Sequence, residues 1–193
     1  MLSKKAKNER SARAVLAKMA SGQWKCRGCS EIHDGLPDLA PDYPDVWEGN
    51  MTLAPNKGLT LDGDFLSDDF CVMGGEHFLV RGVLLLDVEG VEKGFSFGVW
   101  TSLSKKSFLT YLETFDEGLS EPGEPWPGWL CTHLGYFGET IGLRTAVVAQ
   151  AARQRPRVYV VDHKEALGLA QENGLAASDL VDIFEYYGNH LPK

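Results

Sequence analysis

Apolar positions near the start of the chain recur at helical spacing. Ala12, Val15, Leu16 and Met19 share one face of a segment rich in Ala, Lys and Arg that runs from residue 4 to residue 20. Ser21-Gly22 stops that helix. In the centre the period changes to two. Phe70-Cys71-Val72-Met73 leads into a Gly74-Gly75 turn, and a strand follows from His77 to Asp87. There Phe78 and Val80 point one way while His77, Leu79 and Arg81 point the other, and Val83-Leu84-Leu85-Leu86 reads as buried. Residues 95–101 repeat the alternation, with Phe95, Phe97 and Val99 against Ser96, Gly98 and Trp100. Trp100 packs over the strand or walls a pocket.

Beyond that strand the helical period returns. Ser104 is a candidate N-cap for a helix through Phe115, striped by Phe108, Tyr111, Leu112 and Phe115. Residues 116–127 form an acidic Pro/Gly-rich loop. Strands are expected over 141–149 and 157–161, and helices over 164–172 and about 178–187, broken at Gly174. Residues 36–45 hold three prolines with interleaved carboxylates, so they form turns rather than a regular element. Residues 49–64 read as irregular, with a short helix. Hairpin-spaced strands followed by short helices predict an α+β fold: a mainly antiparallel β-sheet, flanking helices and an N-terminal Cys-x-x-Cys knuckle.

Length and charge refine this picture. A chain of 193 residues forms one substantial core more readily than two. The expected organisation is a basic helical N-terminal extension over 1–22 and a single α+β domain over 23–193. No apolar run reaches the roughly 18 residues that cross a bilayer, and the basic N-terminus lacks the apolar stretch of a secretory signal. With those absences, four cysteines read as thiols or metal ligands, and the expected location is cytoplasmic. The net charge of -8 hides an asymmetry, because residues 1–25 carry seven Lys and Arg against Glu9. The acidic remainder repels nucleic-acid phosphates, no nucleic-acid-binding motif accompanies the basic arm, and a basic protein is the partner that the charge suits.

Candidate chemistry centres on Cys26-Arg27-Gly28-Cys29-Ser30-Glu31-Ile32-His33. A tight turn through Arg27-Gly28, with Gly28 free to adopt positive φ, aims two sulfurs at one point, and His33 is near enough to join them. Thiolates with imidazole suit zinc or iron, and zinc needs no redox partner. A closed structural zinc site takes four donors. Cys71, His77, Cys131 and His133 are candidates for the fourth, Cys131 and His133 sharing a side if their stretch is extended. Water in that position would give a hydrolytic site instead, and buried thiols without metal remain open. The early Gly35 and Pro37 argue against the long helix that supports a redox Cys-x-x-Cys.

A second group is Glu76, His77 and Arg81, as weak catalytic candidates. His77 and Arg81 share strand parity, Glu76 could orient a histidine, and Arg81 could bind an anion. A partly solvated sheet face gives the same pattern. Neither a His-Glu-x-x-His string nor a Gly-rich phosphate loop after a clear strand is present.

Several pieces in combination resemble the DUF2199 family of uncharacterised bacterial proteins. They are Cys26-Arg27-Gly28-Cys29 with His33, Leu36-Pro37, Pro44, and Ser67-Asp68-Asp69-Phe70-Cys71. Further on come residues 75–82, residues 97–104 and Gly128-Trp129-Leu130. The likeness spans about residues 23–170. The family's late Asp-His-Pro-Leu pattern stands here as Asp162-His163-Lys164-Glu165, which adds His163 to the candidate donors. The resemblance implies one organised domain and names no reaction. Two functions are therefore carried forward. One is a non-enzymatic binding or regulatory domain with a structural metal knuckle. The alternative is a metal-dependent hydrolase with an open Cys26/Cys29/His33 site and Glu76 or His77 beside the reacting group.

Overall fold

The predicted N-terminal helix forms as α1 (Leu2–Ala20), and Ala12, Leu16 and Met19 are buried as its apolar stripe requires. The computed structural model describes residues 2–115 and 123–193, so positions 116–122 of the expected acidic loop lie outside the described residues. After α1 come two short strands, β1 (Gln23–Lys25) and β2 (Ile32–Asp34), which pair antiparallel and hold the Cys-x-x-Cys turn between them.

The central strands are β3 (Phe65–Leu66), β4 (Phe70–Met73), β5 (His77–Val88) and β6 (Val91–Leu103). Helix α2 (Lys105–Phe115) follows, and Ser104 caps it by accepting the Ser107 N–H at 3.1 Å. The last third holds β7 (Trp126–Trp129), β8 (Arg144–Val148), β9 (Arg157–Val160), α3 (Ala166–Asn173) and α4 (Ala177–Tyr186). The short helix expected within 49–64 is a 3-10 turn at Asn56–Gly58.

The chain forms two compact units. One comprises Leu39–Leu85 and Phe97–Gly168 and contains most of the main sheet, ordered β3-β4-β5-β9-β8-β7 with β6 also paired to β5. The expectation of a mainly antiparallel sheet is corrected here, because this sheet is mixed. Strands β4 and β5 pair antiparallel, as do β7 with β8 and β8 with β9, but β9 runs parallel to β5 at Val83↔Arg157. Local hairpin spacing could not reveal that pairing, since β9 follows β5 by some seventy residues. Gly82 makes room for it: a Cβ there would meet Val158 Cγ2 at 2.4 Å. One face of the sheet packs Phe70, Phe78 and Val80 against Phe108, Tyr111 and Phe115 of α2. A second cluster gathers Trp47, Leu66, Cys71, Leu79, Trp100 and Cys131.

The other unit is assembled from three separated stretches, Met1–Asp38, Leu86–Ser96 and Leu169–Lys193. Helix α1 packs on α4, and Phe95 meets Phe184 edge to face at 5.4 Å between centroids. The first turn of α4 has no side-chain cap of its own, since Ala176 precedes it. Glu9 of α1 supplies one by accepting the N–H groups of Ala177 at 3.0 Å and Ser178 at 3.2 Å. No helix among the described residues is long and apolar enough to cross a membrane.

Candidate metal centre

The β1–β2 hairpin fixes the knuckle. Trp24 is opposite His33 and Lys25 opposite Ile32, and the Cys26 N–H closes the turn on the Glu31 carbonyl at 2.9 Å. Trp24 is buried, donates from Nε1 to the Gly35 carbonyl at 2.9 Å, and its ring lies 4.9 Å from that of His33. These contacts orient the imidazole toward the cysteines. The residue of the turn that takes positive φ is Ser30, at 62°, rather than Gly28. Gly28 serves a different need, that of close approach. A Cβ on it would stand 1.9 Å from the Gly188 carbonyl oxygen.

That approach brings in a donor absent from the sequence-based candidates. Helix α4 ends at Tyr186, and the chain turns through Gly188 (φ 119°) and Asn189 (φ 55°). Residues 190–193 then run alongside β1. Arg27 N–H donates to Leu191 O at 2.8 Å, Lys193 N–H donates to Lys25 O at 3.0 Å, and Cys26 bridges to Pro192. The turn delivers His190, whose Nδ1 lies 3.5 Å from Cys26 Sγ, while Cys29 Sγ lies 3.2 Å from His33 Nε2. The two imidazoles stand at 86° to each other.

One ligand atom from each of Cys26, Cys29, His33 and His190 falls within 4.8 Å of the other three, close enough to hold a metal ion. A tetrahedral zinc with bonds of about 2.3 Å to sulfur and about 2.0 Å to nitrogen separates its donors by roughly 3.3–3.8 Å. The cluster needs at most about 1.5 Å of contraction to reach that spacing. Burial opposes ionisation of Cys26. The Cys29 and Gly28 N–H groups, the Cys29 thiol and the Lys193 ammonium outweigh it, so the thiol titrates below its ordinary value. That bias favours the thiolate a soft metal binds.

None of Cys71, His77, Cys131, His133 and His163 belongs to this group of donors. Cys71 and Cys131 are buried in the cluster around Trp100. Burial pushes their thiols up to about 12 and about 11. Cys131 and His133 do not share a side: Cys131 is buried, whereas His133 is exposed, with Nδ1 3.7 Å from Glu139. His163 is exposed after β9. Glu76 and His77 are exposed where β5 begins, but Arg81 four residues on is 6% exposed. Strand parity therefore did not bring His77 and Arg81 into one solvent-facing group. Gly94-Phe95-Ser96-Phe97-Gly98 has the Gly-x-Ser-x-Gly spacing of serine hydrolases. Ser96 lies within β6 and donates to Asp38 at 2.6 Å, without the strand-to-helix elbow that exposes such a nucleophile.

Comparison with known proteins agrees with the knuckle's sequence context. A family model described as an uncharacterized protein conserved in bacteria, DUF2199, matches residues 25–175. That span covers Cys26, Cys29 and His33, and His190 lies beyond it. No curated protein and no solved structure matches the chain.

Proposed function

We propose that this chain, which belongs to the DUF2199 family of proteins conserved in bacteria, is a non-enzymatic binding or regulatory domain with a structural zinc ion. The ion would be held by Cys26, Cys29, His33 and His190. The observation that carries the reading is the convergence of four side-chain donors, two sulfurs and two imidazole nitrogens, within 4.8 Å. Two thiolates and two imidazoles form a donor set typical of closed structural zinc sites, which bind no substrate. The hydrolase alternative needs an open position for water, and a fourth protein donor would fill that position.

A structural role also suits how this unit is assembled. Its first and last stretches are separated by more than a hundred residues, and zinc would join the 26–33 hairpin to the segment carrying His190. Because a metal that binds only the folded form adds its binding free energy to stability, such a link favours the assembled unit. The acidic remainder of the chain supports a basic protein as the partner.

Elemental analysis of the full chain, purified without chelator, tests the reading when paired with thermal unfolding. About one zinc per chain and a lower Tm after chelation are expected. Protein that carries no zinc, takes none up and unfolds identically with chelator would overturn it. Zinc-dependent hydrolysis lost in His77→Ala with zinc retained would favour the alternative.

A further inference from the structure

Arg81 and Trp100 form the least satisfied polar pair in the sheet-containing unit. The Arg81 guanidinium is almost wholly buried, yet its Nε has no acceptor among the described residues. Among the described residues its nearest carboxylate is Asp42, with Oδ1 3.9 Å from Nη2, too far for a hydrogen bond. Trp100 is fully buried, and its indole Nε1 also lacks an acceptor. The guanidinium carbon lies 5.9 Å from the centroid of the Trp100 ring.

The surroundings are built around this pair. Gly98 on β6 donates its N–H to the Leu39 carbonyl at 2.9 Å, which holds the 39–42 loop against the strand. A Cβ on Gly98 would lie 2.5 Å from Ala40 Cβ and 3.8 Å from Arg81 Nε. The glycine thus lets Ala40 and the 39–42 loop lie close against β6, beside the Arg81 side chain. Asp42, whose side chain is 76% exposed, stands at the Nη2 end of the same edge.

Two buried donors without acceptors are costly, and the cost is greater where the donor is charged. Cation–π contact with Trp100 offsets only part of that. Both groups donate and neither accepts, so the missing element is an acceptor, and an oxyanion matches the guanidinium fork best. The charge nearby decides which oxyanion. Burial and Arg155 make the cation at Arg81 harder to keep, whereas Asp42, Asp68 and Asp69 stabilise it. Asp69 is already engaged by Arg155 at 2.8 Å and by Asn56 at 2.7 Å. Three carboxylates around the site repel a dianion more strongly than a monoanion.

We propose that Arg81 and Trp100 form a binding subsite for a small carboxylate-bearing ligand. The ligand's carboxylate takes the Nε–Nη2 edge of Arg81, the indole N–H of Trp100 contributes a further donor, and Asp42 swings out as the ligand enters. Asp42 then acts as a resident competitor, which keeps the buried cation partly compensated when the ligand is absent. This assignment is independent of the zinc reading, because none of its residues belongs to the metal cluster.

The test is a titration of the ¹⁵N-labelled full chain with sodium acetate, and in parallel with inorganic phosphate, followed by NMR. The Trp100 indole signal is identified by its loss in Trp100→Phe. Acetate is expected to shift the Trp100 indole and Arg81 Nε–H signals saturably and together, more tightly than phosphate does. Arg81→Lys should weaken acetate binding by about tenfold, since a point charge replaces the fork. Asp42→Asn should tighten it by removing the competitor. If Arg81→Lys fails to fold, Asp42→Asn still decides the matter. Signals unmoved by acetate, or binding unchanged in Asp42→Asn, would overturn the proposal. Tighter binding of phosphate would overturn the carboxylate assignment.

Discussion

Gly28 lies directly beneath the carbonyl of Gly188, so close that a Cβ at Gly28 would stand 1.9 Å from that oxygen. Backbone occupies the space, and a flexible side chain could not yield it. The carbonyl belongs to the turn that carries His190 to Cys26. Gly28→Ala is therefore expected to push residues 188–190 away from the knuckle and destabilise the fold by about 1–3 kcal/mol. Urea unfolding measures the first effect and a chelator-competition titration the accompanying loss of zinc affinity. Wild-type values for both would contradict the packing described here.

Histidine substitutions should separate the donors from the other histidines. Losing a group that only orients a metal ligand costs roughly 10–100-fold in affinity, and losing a donor should cost more. Chelator competition is expected to show that larger loss for His190→Ala and His33→Ala. His77→Ala, His133→Ala and His163→Ala should bind zinc as the wild type does. Equal losses across all five would indicate a general effect on folding.

The cysteines should divide into two pairs by reactivity. Cys29 is exposed, and Cys26 titrates below its ordinary value, whereas Cys71 and Cys131 are buried and held up at about 12 and about 11. Thiol-reactive dye at neutral pH should label Cys26 and Cys29 once zinc is chelated, and zinc should protect them. Cys71 and Cys131 should react only on unfolding. Mass spectrometry of labelled peptides reads each position, and rapid labelling of Cys71 in folded protein would contradict its burial.

Glu9 ties α1 to α4 through two backbone N–H groups. Burial opposes its charge, but hydrogen bonds from Ser178, Ala177 and Arg13 prevail, so its carboxyl titrates below the ordinary value. A carboxyl lowered on folding contributes fully above its unfolded pKa, near ~4.3, and loses that contribution as pH falls through the lower folded value. Glu9→Ala should cost about 1 kcal/mol at pH 7, as loss of an N-cap does. The deficit should shrink below pH 4. A deficit independent of pH, measured by denaturant unfolding, would show that charge plays no part.

The helices α1, α2, α3 and α4 were legible because each carries an apolar stripe or a clear stop, such as Ser104 before α2 or Gly174 after α3. Strands β4 and β5 were legible from alternation and the Gly74-Gly75 turn, and β6 over residues 95–101 from alternation alone. The parallel β5–β9 pairing was not, since it joins distant segments and its enabling feature, Gly82, carries no pattern of its own. Three donors of the candidate site stood out because they lie within eight residues. His190 was invisible to spacing. The Gly188-Asn189 helix stop just before a histidine was the available clue, and it acquires meaning only when the segment folds back along β1.

X-ray absorption at the zinc edge, on the zinc-loaded full chain, reads the four proposed ligands themselves. Two sulfur ligands at about 2.3 Å and two imidazole nitrogens at about 2.0 Å are expected, with one nitrogen lost in His190→Ala. A zinc ion with a water oxygen among its ligands in the wild type, or an unchanged spectrum in His190→Ala, would contradict it.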